Sequence, residues 1–308
     1  MVIVVAILAV LAGIAVRGVD GLDQQARFDA TQRVIRDIND AVLATGQDAD
    51  GSLLVCGFVA DMGRLPKAVV GSDGNLQLQE LWSNSGNLQP FAVRPATQAV
   101  NPAITAPDPE VLIAGGWRGN YLRLGVGQSV LQDGWGNLFD LLKSDQATYV
   151  AVGDPIAAVR SRGANGKVDL PGTTSGYDAD ITISLGSAFS SADPCNVPVS
   201  GQVHSLDSNG NLIAPDPTKG DIVIVYFGPD PNTGLPAEQI VPIAAASFTG
   251  ASGVSYSFVG TAGARVIRAY QGVGLAADPS SCATAPVKSV PVRLVLQPGG
   301  EVKDLVIR

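Results

Sequence analysis

The first sixteen residues, MVIVVAILAVLAGIAV, carry no charge and no strongly polar side chain. As a helix this run spans about 24 Å at about 1.5 Å per residue, short of the ~30 Å hydrocarbon core of a bilayer. Three readings compete. A cleaved secretory signal wants a basic leading region, and no Lys or Arg precedes the run. A plain membrane anchor wants more length and flanking positive charge. The third reading is an apolar half-helix that continues into an amphipathic one.

The next segment favours the third. Residues 21–45 contain no Pro, and Leu22, Ala26, Ala30, Val34, Ile38, Ala41 and Val42 recur at helical spacing. Opposite charges lie four apart at Asp23 and Arg27, Asp29 and Arg33, Arg33 and Asp37, and Arg36 and Asp40, each pair worth a few tenths of a kcal/mol. Gly46 is placed to cap the end. Residues 1–45 are therefore expected to form one helix of about 65 Å. Met1, Val2, Ile3, Val4, Val5, Ile7, Leu8, Val10, Leu11 and Ile14 give its first third an apolar surface all round. Leu22, Ala26, Val34, Ile38 and Val42 give the remainder a stripe on which a globular head would sit. Gly13, Gly18 and Gly21 fall at the junction, where each costs about 1 kcal/mol relative to Ala and makes a soft joint.

The run VIVVAILAVLAGIA followed by a charged amphipathic helix resembles the N-terminus of type IV pilins and type II secretion pseudopilins. FVADMGRLP (Phe58 to Pro66) is similar to the segment after the long helix in such proteins. DGWGN (Asp133 to Asn137) followed by SRGANG (Ser161 to Gly166) resembles the DPWGNPY and SxGxDG segments of the major pseudopilin, and WRGNY (Trp117 to Tyr121) fits the same proteins. The resemblance covers roughly residues 1–177. It departs at Gly134, where the family has Pro, and at Asn165, where the family has Asp; that neighbourhood helps form a calcium site in pseudopilins. The family's mature chain opens with about five residues ending in a glutamate. Five more apolar residues would bring the span to bilayer thickness, so residues upstream of Met1 are expected.

The rest of the chain divides in two. Residues 46–176 read as a pilin-like head: Ser52 caps a helix over residues 53–62, Cys56 is buried on it, Gly63 ends it, and residues 89–109 form a Pro-rich extended loop. Trp82, Trp117 and Trp135 read as packing residues. Strands are expected at residues 147–152 and 156–160. Residues 177–308 read as all-β, with strands at 181–185, 199–205, 222–227, 239–245, 255–259, 265–270, 290–296 and 302–307 separated by DSNGN, GPDPNTG, TAGA and QPGGE turns. This block loosely resembles immunoglobulin-like or transthyretin-like sandwiches on bacterial surface proteins. Cys195 and Cys282 either form a disulfide there, as suits an exported β-domain, or stay as two thiols.

Composition excludes more than it assigns. A formal net charge of −8 argues against nucleic acid, and a lone histidine, His204, rules out a multi-His zinc site. His204 and Ser205 are neighbours on an expected strand and so point to opposite faces, which removes a hydrolase dyad. No nucleophile-elbow, Walker or dinucleotide glycine motif occurs in a fitting context. The chain is expected to be no enzyme and to need no cofactor. Calcium alone is left open, at Asp207 to Asn211 and Asp230 to Gly234, though neither turn has the bidentate Glu of an EF-hand.

The expected fold class is α+β: a helical, lollipop-like stalk (1–45), a pilin-like α/β head (46–176) and a C-terminal β-sandwich (177–308). The expected function is a structural subunit of an extracellular pilus-like filament, polymerised through the apolar helix. Its expected partners are copies of itself and an inner-membrane assembly machinery, with the cell surface as its final location. A minor pilin, a secretion pseudopilin or a membrane-anchored binding module are the alternatives.

Overall fold

In the computed structural model, residues 2–47, 53–84, 86, 88–93, 113–169, 173–185, 194–230, 232–248, 252–277, 285, 287–297 and 299–308 are described, with backbone alone for 2–20, 53, 92, 93 and 113. Helix α1 (Val2–Val42) leads into a hairpin of β1 (Ala44–Gln47) and β2 (Leu53–Cys56), then the short α2 (Phe58–Met62). Two small hairpins follow, β3 (Val69–Val70) with β4 (Leu76–Gln77), and β5 (Phe91–Val93) with β6 (Ile113–Gly115). Strands β7 (Asp140–Leu142), β8 (Ala158–Ser161) and β9 (Ile181–Ser184) make an antiparallel sheet. The remainder is β10 (Val197–Leu206), β11 (Leu212–Ile213), β12 (Asp221–Pro229), β13 (Pro236–Ile243), β14 (Val254–Gly260), β15 (Gly263–Gly272), β16 (Val287–Lys288), β17 (Val292–Leu296), β18 (Glu301–Val302) and β19 (Leu305–Val306).

The expected α+β class is corrected. The chain is mostly β, 38% strand against 17% helix, and among the described residues one helix of seven or more residues stands beside a body of several sheets. The sequence signal of a long helix came from one element, whereas the Gly- and Pro-rich remainder supplies strands. Nor does α1 serve as a stalk over its second half, where Thr31, Ile35, Ile38, Asn39, Ala41 and Val42 are buried. The helix stops at Val42, and Gly46, expected as its cap, pairs with Leu54 in the β1–β2 hairpin. That pairing also converts the first half of the helix expected at 53–62 into a strand, because four residues of ladder outweigh weak helical propensity. Cys56 is exposed there, not buried. Gly63 does end α2, in a left-handed conformation; Ser52 lies outside the described residues.

Contacts gather into two compact units whose segments interleave along the chain. One contains Met1–Asp40, Lys67–Trp82 and Leu122–Leu185; the other contains Ala41–Pro66, Ser83–Tyr121 and Gly186–Arg308. In the first unit the three-stranded sheet is held by ions. Asp140 is opposite Arg160, whose Nη2 donates to it at 2.8 Å, while Arg162 donates to both of its oxygens and Arg160 also approaches Asp180 at 3.7 Å. Burial alone would push the Asp140 carboxyl up; hydrogen bonds and charge from Arg162 and Arg160 more than offset it and hold the group low. Residues 147–152 do not form the expected strand; Tyr149 makes a single bridge to Leu142.

In the second unit, two five-stranded sheets pack together. One is β11-β10-β14 with β18 and β19 beside β10; the other is β13-β12-β15-β16 with β17 beside β15. The Tyr226 and Phe258 rings meet between them at 5.1 Å, and β14 buries alternate residues, as a half-covered strand should. Strand β12 is buried on both faces, its Val223, Val225 and Phe227 joining Val266, Tyr270 and Leu275 in a second cluster. Strands β18 and β19 run parallel to β10, split by Lys303 and Asp304 where one strand was expected. The sequence pattern predicts strands here but not that the last two lie parallel to β10. Cys195 is partly buried at the start of this region; Cys282 and the disulfide expected with it lie outside the described residues.

Edge strand β13 contains one misfit. Glu238 lies opposite Phe227, its Oε1 is buried with no hydrogen-bond partner among the described residues, and burial pushes its carboxyl up to about 7. Folded Glu238 thus holds its proton more tightly than an ordinary carboxyl at 4.5. The stability tied to that proton is fully present below the unfolded value and is lost as pH rises through the folded one. Glu238→Gln is expected to flatten the stability profile across that window. At about pH 8 it should add about 1–2 kcal/mol, a value reduced for partial exposure. Urea unfolding at three pH values checks this; an unchanged slope would refute it.

Candidate functional site

The site with the most sequence-encoded structure is the seat of α1 in the first unit. Asp133 organises it. One carboxylate oxygen accepts the N–H groups of Trp135 (2.9 Å) and Asn137 (2.8 Å), and the other accepts the Ser161 hydroxyl at 2.6 Å. Asn137 then donates from Nδ2 to the Gly163 carbonyl at 3.2 Å. DGWGN and SRGANG, read as separate motifs in the sequence, are therefore one folded loop pair.

This loop pair clamps the helix. The Gly134 N–H donates to the Thr31 hydroxyl at 2.8 Å, and that hydroxyl donates to the Arg27 carbonyl. Trp135 Nε1 donates to Gln24 at 2.9 Å, and the Tyr177 hydroxyl donates to Gln25 at 2.8 Å. Phe28 lies edge-on between the Trp135 and Tyr177 rings, at 6.4 and 5.9 Å. Gly134 has no room for a side chain: a Cβ there would lie 2.0 Å from the Arg27 carbonyl oxygen. Gly134, where the resembling pseudopilin segment has Pro, thus serves a close approach of loop to helix backbone.

The helix presents a different stripe from the expected one. Ile38 and Val42 are buried and Val34 is half-buried, but Leu22 is 72% exposed and Ala26 is exposed. Repeated steps of four advance about 40° beyond a full turn each time, so residues 22, 26, 30, 34 and 38 wind around the helix. Gln24, Phe28, Thr31, Ile35, Ile38 and Val42 alternate steps of four and three and stay on one face. Gly21 has open space around it, and α1 continues unbroken through Gly13, Gly18 and Gly21. Met1 lies outside the described residues; Val2, Ile3, Val4, Val5, Ile7, Leu8, Val10, Leu11 and Ile14 belong to the part described by backbone alone.

The other motif pair also comes together, in the second unit. The Tyr121 hydroxyl donates to Asp61 at 3.1 Å, Arg118 reaches the same carboxylate at 3.6 Å, and the Gly116 N–H donates to the Asp61 carbonyl. Burial pushes the Asp61 carboxyl up against the pull of Arg118 and Tyr121, and burial beside Asp61 raises the Tyr121 hydroxyl. Phe58 and Trp117 flank the Tyr121 ring edge-on. FVADMGRLP and WRGNY are thus a structural knot.

The remaining candidates serve turns or strands. Asp207 accepts the N–H groups of Asn209 and Asn211 and the Asn211 amide, and Asp230 accepts from Asn232 and Thr233, which commits both carboxylates to their turns. Among the described residues no three His, Cys, Asp or Glu side chains gather as a metal requires. His204 is buried on β10, its Nδ1 2.6 Å from the Ser252 carbonyl. Among the described residues no helix is long and apolar enough to cross a membrane. Compared with known proteins, the chain matches no family model, no curated protein and no solved structure.

Proposed function

We propose that this chain is a structural subunit of an extracellular filament of the type IV pilin or pseudopilin kind. It assembles through the apolar N-terminal run of α1, with the β-rich body outward. The observation that supports this is the union of two things in one unbroken helix. Its first part, Val2 to Val16, is fifteen residues without a charge, and its second part is clamped by DGWGN and Tyr177. Burying larger apolar side chains gains about 1.5–3 kcal/mol each, so such a run seeks a bilayer or a bundle of like helices. A clamp on the same helix transmits load between that bundle and the body. In this reading the partners are copies of the same chain and an inner-membrane machine that feeds them into the polymer, and the destination is the cell surface.

The test is cryo-electron microscopy of sheared surface filaments with mass spectrometry of the same sample. A helical map with α1 at the axis, and this chain as its dominant protein, is the expected result. Recovery of the chain only in membranes, with filaments lacking it, would overturn the proposal.

A further inference from the structure

The first unit also contains a pocket of about 460 Å³, within the range of small-molecule sites. Leu76, Phe139 and Val150 belong to its apolar wall, and Asn137, Asp140, Tyr149 and Arg162 to its polar side. Asp140 takes the Nε and one Nη2 donor of Arg162, and a guanidinium has five donors, so further N–H groups remain for a ligand on a side chain 37% exposed. Asn137 spends its Nδ2 on Gly163 and keeps an acceptor oxygen. The Arg160 guanidinium covers one face of the Tyr149 ring at 5.7 Å, and the residue is 50% exposed.

Charge narrows the ligand. Arg160 and Arg162 are balanced by Asp140 and Asp180. A charged ligand would be desolvated here without a net opposite charge to meet it. A neutral ligand with one strong acceptor, hydroxyls and a small apolar group matches the lining. We propose that this pocket binds a neutral N-acetylated sugar unit. Its acetamide carbonyl accepts from Arg162, a hydroxyl donates to Asn137, its methyl meets Leu76, Phe139 and Val150, and its ring lies on Tyr149. The proposal does not rest on the filament reading, although Asn137 also belongs to the loop that clamps α1.

The test uses the full chain in a zwitterionic detergent with no sugar headgroup, titrated with N-acetylglucosamine and read by saturation-transfer NMR. Binding near about 1 mM is expected, with the acetyl methyl the most strongly saturated group. Arg162→Gln should weaken it about tenfold. Leu76→Trp, which fills the pocket from its apolar wall and replaces none of the ionic residues, should abolish it, and carries the test alone should Arg162→Gln fail to fold. Absence of binding at about 50 mM, glucose binding equally well, or full binding by either folded variant would overturn the proposal. Tighter binding of N-acetylneuraminic acid would do so too, by marking an anion site.

Discussion

Arg265→Met is expected to lower the folding free energy by about 3–5 kcal/mol, measured by urea unfolding followed by circular dichroism. Arg265 is 1% exposed; among the described residues its hydrogen bonds go to neutral acceptors, and its charge also reaches the Asp61 carboxylate. Its Nε donates to the Tyr226 hydroxyl (3.1 Å) and to Thr261, its Nη1 to the Ala60 and Ala264 carbonyls (2.9 Å each), and its Nη2 to Thr261 and the Ala262 carbonyl. One side chain thus ties α2 to β12 and to the turn before β15. Methionine fills much of the volume and satisfies none of these acceptors, several of which stay buried. Arg265→Lys should recover part of the loss, since an ammonium has three donors and no fork. A loss under about 1 kcal/mol for the methionine variant would mean that water replaces the guanidinium readily.

Gly134→Ala is expected to cost about 3 kcal/mol and to loosen the helix seat. The new Cβ would meet the oxygen, carbonyl carbon and Cα of Arg27 at 2.0, 2.8 and 3.0 Å. All three are backbone atoms and no rotamer relieves them. The loop must move, and with it go the bonds from Gly134 to Thr31 and from Trp135 to Gln24. Hydrogen exchange across residues 24–35 should accelerate, and Trp135 fluorescence should shift to the red. Gly136→Ala is the control. Its φ of +87° strains any side chain but its Cβ meets nothing, so a loss near 1 kcal/mol is expected with the seat intact. Equal effects for the two variants would sink the close-approach argument.

The sequence made local features legible and hid the ones made by distant partners. DIVIVYF is a continuous apolar run after Asp221, VPVRLVL is rich in β-branched and apolar residues, and turn residues bound both, so β12 and β17 could be placed within a few residues. That β18 and β19 would lie parallel to β10 could not, because about a hundred residues separate the partners and pairing leaves no local trace. Residues 53–56 read as helix for a different reason: their partner β1 lies just upstream, but its ATGQ has no strand pattern to announce the hairpin. Arg265 looks like any solvent-facing charge in GARVIRAY, and its burial depends on Ala60, a residue far back in the chain. The helix seat was half legible: DGWGN and SRGANG stood out, but Gln24, Phe28, Thr31 and Tyr177 were passed over. A search for alternating steps of four and three, with polar residues admitted to the buried face, would have found the first three.

The interleaving of the two units has a consequence for how the molecule comes into being. A ribosome or an export channel delivers a chain from its beginning, and this chain changes unit after Asp40, Pro66, Trp82, Tyr121 and Leu185. The first unit has all its pieces once Leu185 emerges. The second already owns α2 and the early hairpins by then, yet waits for the final residues to supply β10 to β19. Its oldest segments are the last to find their partners, and during that interval they depend on a chaperone or a surface for cover. Inheritance meets the same constraint, since no continuous stretch of the gene encodes either unit whole. Neither can be cut out as one uninterrupted segment and passed to another protein.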